Sequence, residues 1–168
     1  MGCAGSPYQS LNLGIGYMNQ GEFDKAERLF LQEVKRDPMD SVAWNQLGII
    51  AFERGDMEQA LEYFQTARGI APLNPVYARN LAMVYAEKEK YEIAESLLTK
   101  SIELNPRDPD TYVTLAKVYL LAGEEQSALE TLESTLRVDP AHVEALQMLE
   151  QLQIGGNLAE QPLSPSFE

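Results

Sequence analysis

The sequence is poor in the residues that do chemistry. It has one cysteine, Cys3, and one histidine, His142. A single thiol allows no disulfide within the chain. With no Cys-x-x-Cys or His-Glu-x-x-His spacing there is no zinc site of the usual kind, so no metal is expected. Cys3 in a terminal segment and His142 alone after Pro140 make no pair of nucleophile and base, and the expectation is a protein that is not an enzyme and takes no cofactor. A Gly14-x-Gly16 pair lies inside a helical stripe and follows no strand, which excludes a phosphate loop.

Positive charge is equally scarce. Thirteen Lys and Arg stand against 26 Asp and Glu, for a net charge of −13. Phosphate backbones need a basic face, so nucleic acid is not an expected partner. The stretch from Val143 to Glu168 has four Glu and no Lys or Arg, read as a solvated acidic surface. Long apolar runs are missing too. The stretch Leu47-Gly48-Ile49-Ile50-Ala51-Phe52 stops at Glu53, far short of the ~20 residues that span a membrane.

What the sequence does have is a repeat. From Ala26, one constant step reaches Ala60, Ala94 and Ala128 in turn. Leu13, Leu47, Leu81 and Leu115 keep the same step, as do Pro38, Pro72, Pro106 and Pro140. The copies are 7–40, 41–74, 75–108 and 109–142. Each reads as two helices. In the second copy Trp44, Leu47, Gly48 and Ala51 form one helical stripe and Ala60, Leu61, Phe64 and Ala67 another, with Gly55-Asp56 breaking the pattern between them. Pro72 cannot continue the second helix. Gly21, Gly123 and, in the third copy, Glu89-Lys90 occupy the corresponding turns. Gly14, Gly48, Ala82 and Ala116 share one position of the first helix, where a small side chain lets two helix backbones approach. One such hairpin cannot bury its apolar face alone, and stacking makes a continuous core.

Trp44-Asn45-Gln46-Leu47-Gly48 through Ala51, Ala60, Phe64, Ala67 and Pro72 resembles the tetratricopeptide-repeat (TPR) consensus nearly position for position. The step also matches that family's repeat length of about 34 residues, and the likeness covers residues 7–142. It implies an all-α TPR solenoid, a right-handed superhelix of helix-turn-helix repeats. Departures are Ser10 and Ala78 in place of an aromatic such as Trp44 or Tyr112, and Glu33, Ser101 and Thr135 in place of a small residue such as Ala67. After the fourth copy, residues 143–154 read as a capping helix, with Val143, Leu146 and Leu149 apolar and Glu144, Gln147, Glu150 and Gln151 polar. Gly155-Gly156 is expected to end it, and residues 155–168 to be disordered.

The resemblance also implies a concave groove lined by the first helix of each repeat. Its positions here are Tyr8, Leu11, Asn12, Ile15 and Met18; Val42, Asn45, Gln46, Ile49 and Phe52; Val76, Arg79, Asn80 and Met83; and Asp110, Val113, Thr114, Lys117 and Leu120. The residues make that surface mostly apolar, crossed by a ladder of hydrogen-bonding groups, Asn12, Gln46, Asn80 and Thr114. Such a surface suits an amphipathic helix or an extended peptide. Packing between adjacent repeats is the other reading of Ile49 and Met83, and both stay open. TPR domains that hold the acidic tails of heat-shock chaperones clamp a carboxylate with Lys, Asn and Arg. The matching residues here are Leu11, Ile15, Gln46, Val76 and Asn80, or one repeat on Asn45, Ile49, Asn80, Asp110 and Thr114. Neither set supplies a cation.

Residues 1–6 are expected to be flexible and leave three readings open. Met1-Gly2-Cys3-Ala4-Gly5-Ser6 fits an acylation pattern at Gly2 with a neighbouring cysteine for palmitate. It also resembles a bacterial lipoprotein after signal removal, with Cys3 carrying lipid on the periplasmic side of the envelope. The third reading is a chance match in a cytoplasmic protein. The function expected is a protein-binding adaptor that assists assembly of a larger complex; the alternative is a self-associating structural oligomer.

The recurring alanine at Ala94 generates a test of the helix packing. Ala94→Glu should destabilise the chain by several kcal/mol, because overpacking costs ~1–3 kcal/mol and a buried unpaired charge adds to it. A thermal melt followed by circular dichroism checks this, and an unchanged melting temperature contradicts the assignment.

Overall fold

The computed structural model describes residues 7–159, with side chains from 10 to 153. The readings placed on residues 1–6, lipid attachment at Gly2 and Cys3 included, and on residues 160–168 lie outside the described residues. Among those described there are nine α-helices and no strand. They are α1 (Pro7–Asn19), α2 (Phe23–Arg36), α3 (Ser41–Glu53), α4 (Met57–Ile70), α5 (Pro75–Glu87), α6 (Tyr91–Leu104), α7 (Pro109–Leu121), α8 (Glu125–Val138) and α9 (Val143–Ala159). Each of the first four pairs falls inside one copy of the repeat.

Local chemistry sets the helix ends. Asp40 accepts hydrogen bonds from the Val42 and Ala43 amides at the start of α3, and Asn74 accepts from Val76 at the start of α5, satisfying donors that the helix leaves free. Pro75 and Pro109 open α5 and α7, where a missing N–H costs nothing. Inside each hairpin the turn residue takes a left-handed conformation. Gly21, Gly55 and Gly123 have φ of 74°, 78° and 79°, and Glu89 has φ 57° at the matching position. The following amide then closes the turn, as in Asp56 N–H to Ala51 O at 2.9 Å and Lys90 N–H to Tyr85 O at 2.8 Å.

The helices group into two compact units, one ending at Leu97 and the other beginning at Leu98, inside α6. In the first unit α1 packs on α2, α2 on α3, α3 on α4 and α4 on α5. One core gathers Ala26, Phe30, Val34, Ala43, Leu47 and Ile50, and the next gathers Ala51, Ala60, Phe64, Leu81 and Val84. Inside the first two hairpins a first-helix glycine lies directly against a second-helix phenylalanine. A Cβ at Gly14 would lie 2.6 Å from the Phe30 ring, and one at Gly48 would lie 2.5 Å from Phe64. The Trp44 indole N–H donates to the Pro38 carbonyl at 2.9 Å, locking the loop that joins the repeats.

The departures from consensus have local solutions. Ser10 leaves room where Trp44 stands in the next repeat, and the buried Glu33 reaches into it, accepting a hydrogen bond from Ser10 Oγ at 2.7 Å and pairing with Arg36. Equivalent leucines differ in burial. Leu47 and Leu81 are 1 % and 3 % exposed against the second helix of the preceding repeat, whereas Leu13 is 49 % exposed. One turn on, Ile50 and Val84 are buried while Gly16 faces open space.

In the second unit α7 packs on α8 and α8 on α9, around Val113, Ala116, Ala128, Leu132 and Ala145. The Tyr112 hydroxyl donates to the Pro106 carbonyl at 3.2 Å, repeating the Trp44 lock. Two readings of α9 need correction. The helix does not stop at Gly155-Gly156 but runs to Ala159, because glycine weakens a helix by only about 1 kcal/mol and ends one only where the next residues favour a turn. Its inward face is Ala145, Met148, Leu149 and Leu152, whereas Val143 and Leu146 are 65 % and 46 % exposed. Ala145 is small enough to sit in the interface, and that choice rotates Val143 and Leu146 outward. The polar residues Glu144, Gln147, Glu150 and Gln151 are exposed as expected.

The glycine–phenylalanine contact yields a rescue experiment. Gly48→Ala alone should cost about 1–3 kcal/mol, since Phe64 is buried and cannot swing away. Adding Phe64→Leu should restore much of the loss, because Ala116 with Leu132 is the same pairing, already packed, in the fourth repeat. Urea unfolding of the parent, the single variants and the double variant measures the coupling. At the third turn, Glu89→Gly should raise stability by about 0.5–1 kcal/mol by relieving a left-handed conformation that side chains disfavour. A fall in stability there would mean that the Glu89 side chain makes a compensating contact.

Candidate peptide-binding surface

The groove positions do not form one uniform surface. In the first unit, Leu11, Ile15 and Met18 of α1 are half-buried against the Ala26–Phe30–Leu47 core. Ile49 and Phe52 of α3 are half-buried against the core that contains Leu81 and Val84 of α5. Each of these side chains packs with one flank and keeps the other in solvent, so packing between repeats and exposure on the face coexist in the same residues. Met83 is also half-buried, Val42 and Val76 are exposed, and Asn12 is exposed. The side chain of Tyr8 lies outside those described.

The amide ladder is altered by what lies beneath it. Asn45, expected on the surface, is only 5 % exposed and accepts a 2.7 Å hydrogen bond from Asn80 Nδ2. A buried amide needs a partner, and α3 and α5 supply one to each other. Gln46 and Arg79 remain half-buried on this face.

In the second unit the expected groove residues are engaged. Val113 is 2 % exposed and belongs to the core, and Thr114 is 8 % exposed with its hydroxyl donating to the Asp110 carbonyl at 2.8 Å. Lys117 pairs with Glu144 of α9 at 2.7 Å. His142, read in sequence as solitary, sits 3.1 Å from Asp110 through Nε2 while its Nδ1 accepts the Ala145 amide at 3.3 Å. With Nδ1 accepting, Nε2 carries the hydrogen towards the Asp110 carboxylate. Leu120 is half-buried against the α7–α8–α9 core. The start of α9 therefore engages both ends of the α7 face, and Asn45, Val113 and Thr114 act from below the surface rather than on it.

One periodic feature escaped the sequence reading. Arg54, just after α3, pairs with Asp24 at 2.6 Å and Glu27 at 2.9 Å of α2. Lys88, just after α5, pairs with Glu58 of α4. The two cations stand one repeat step apart, and so do Asp24 and Glu58; that spacing was the available signal. The hydrogen bond to Glu27 raises the Arg54 guanidinium further above its ordinary value, and the hydrogen bond from Lys88 holds Glu58 below the usual carboxylate range. Among the described residues no helix is long and apolar enough to cross a membrane.

Helical hairpins of one fixed length, closed by a small residue against a large one and stacked through their second helices, define a helical-repeat protein of solenoid type. Two family models, both described as "Tetratricopeptide repeat", match residues 11–75 and 85–152, and the chain belongs to the tetratricopeptide-repeat family. Its fold is the all-α TPR solenoid. It is similar to the anaphase-promoting complex subunit cut9 of Schizosaccharomyces pombe, with 26 % identity over 153 residues, 86 % of this chain and 22 % of that protein. The chain thus spans under a quarter of the length of that relative. Among solved structures it resembles a thermophilic TPR protein of Thermus thermophilus, with TM-score 0.79 and 25 % identity, covering 90 % of this chain and 83 % of the other. The first TPR of Spaghetti (RPAP3), bound to the HSP90 peptide SRMEEVD, shares the fold at TM-score 0.60 and 21 % identity, covering 72 % and 96 %.

Proposed function

We propose that this chain is a protein–protein interaction scaffold that holds an amphipathic helix or an extended peptide of a partner on the first helices of its first unit, assisting assembly of a larger complex. The observation that carries the reading is the set of half-buried apolar side chains on α1 and α3, which are fixed on one flank by the core and open on the other, with the half-buried Met83 of α5 one repeat step beyond Ile49. A prepacked apolar face loses little side-chain freedom on binding. Relatives point the same way: cut9 is a subunit of a multiprotein complex, and the Spaghetti domain binds a peptide. The role is binding rather than catalysis, and the single imidazole is already engaged by Asp110 and the α9 amide.

The ligand differs from the acidic chaperone tail. Leu11, Ile15, Gln46, Val76 and Asn80 stand where that clamp places its Lys, Asn and Arg, and none of them carries the positive charge that a carboxylate needs. Self-association is the second reading, and the exposed Leu13 favours it, since its counterparts Leu47 and Leu81 are covered by a preceding repeat. Light scattering separates the two, a monomer that captures peptide supporting the scaffold.

Ile49→Ser combined with Met83→Ser should weaken partner capture by about a hundredfold, each change removing roughly 1–1.5 kcal/mol of apolar burial from the bound state. Circular dichroism of the same variant must show an intact fold. Capture should persist at high ionic strength, because apolar contacts are barely screened. Glu62→Ala and Lys100→Ala, on exposed positions of α4 and α6, should leave it unchanged. Loss of capture with those outer changes, and not with the inner pair, would place the partner on the opposite face.

A further inference from the structure

α3 and α5 both end on a carboxylate, Glu53 and Glu87, and neither has a basic residue in its last turn. The carboxyl end of a helix already carries partial negative charge, so an acid there is locally unfavourable and a cation is what the position attracts. Glu53 follows Ile49 by one helical turn and Glu87 follows Met83 by one turn, so each carboxylate stands on the same stripe as an apolar groove residue. Both are exposed. The cations next in sequence do not serve them: Arg54 is held by Asp24 and Glu27, and Lys88 by Glu58. Arg79 lies two turns back at the other end of α5 and has interactions of its own. Among the described residues neither Glu53 nor Glu87 has an ion-pair partner.

An apolar floor edged by two uncompensated acids, one repeat step apart on successive first helices, has a definite complement. We propose that the segment bound on this face is a basic amphipathic helix, whose apolar side lies on Ile49, Phe52 and Met83 and whose Lys or Arg side chains meet Glu53 and Glu87. The inference rests on the binding reading above and adds the charge of the ligand. It also gives the chain's net charge of −13 a local role: complementary charge sets specificity and encounter rate while the apolar contact sets most of the affinity.

The test uses the full chain and three synthetic amphipathic helical peptides that share one Leu/Ala face and carry Lys, Gln or Glu on the other. Binding is read by fluorescence anisotropy at low and high salt. The Lys peptide should bind about fivefold more tightly than the Gln peptide at low salt and the Glu peptide most weakly, since two exposed ion pairs contribute modestly. The gap should close at high salt. Glu53→Gln with Glu87→Gln should bring the Lys peptide to the affinity of the Gln peptide. Glu62→Gln with Glu92→Gln, an equal loss of charge on exposed second-helix positions, should leave it unchanged. Equal binding of the Lys and Gln peptides, or equal loss in both charge variants, overturns the proposal. If that charge-independent binding still disappears in Ile49→Ser/Met83→Ser, the groove reading survives without it. Failure of all three peptides to bind overturns the proposal and removes the amphipathic helix from the binding reading, leaving it the extended peptide.

Discussion

The fold rests on how closely two helix backbones can approach inside one hairpin. At Gly14 and Gly48 the first helix has no Cβ, and the edge of a phenylalanine ring occupies the space a Cβ would take. That contact fixes the depth of the hairpin and so the height at which every other side chain leaves it. Where the small residue grows to alanine, at Ala82 and Ala116, the large one shrinks to Leu98 and Leu132; in the fourth repeat Ala116 and Leu132 meet in one core. The pair conserves volume rather than identity, as expected of interiors packed to crystal density. The Trp44–Pro38 and Tyr112–Pro106 hydrogen bonds then set the loop between repeats, so hairpin and linker are fixed by separate devices.

A constant step carried by Ala26, Leu13 and Pro38 was enough to read the hairpins and their boundaries, because a solenoid writes the same packing problem into each copy. The departures could be seen but not solved. Glu33 sits where Ala67 does, and its ion pair with Arg36 together with its contact with Ser10, a helix away, explains how a carboxylate is buried there. α9 was misjudged because Val143, Leu146 and Leu149 and the actual inward set Ala145, Met148, Leu149 and Leu152 are both helical stripes, and sequence alone does not say which packs. Gly155-Gly156 looked like a stop, yet a glycine pair only lowers helix propensity and α9 continues to Ala159.

The candidate site was less legible for a definite reason. Repeat arithmetic assigns groove positions by equivalence, and equivalence ignores the neighbour on either side. Asn45 and Val113 are one repeat position, two copies apart, and each is taken below the surface by a different partner: Asn45 by the Asn80 amide, and Val113 by the α7–α8–α9 core. Thr114 and Lys117 look like ladder and rim until α9 is placed, with Glu144 on Lys117 and His142 on Asp110. The positions that stay open to solvent on the first helices are therefore mainly those of α1, α3 and α5.

The distribution of cations follows from the same economy of neighbours. With few Lys and Arg available, Arg54 and Lys88 stand where one side chain bridges two repeats, immediately after the first helix and opposite the acids that open the preceding second helix. Such exposed bridges add modestly to the apolar stacking of one hairpin on the next. They also turn positive charge towards the hairpin turns and leave the carboxyl ends of α3 and α5 negative. Structural ion pairing and the charge of the proposed binding face are then linked, since each cation engaged at a junction is one removed from that face. Exchanging the two roles, with bases on that face and none at the junctions, would give a face suited to acidic peptides.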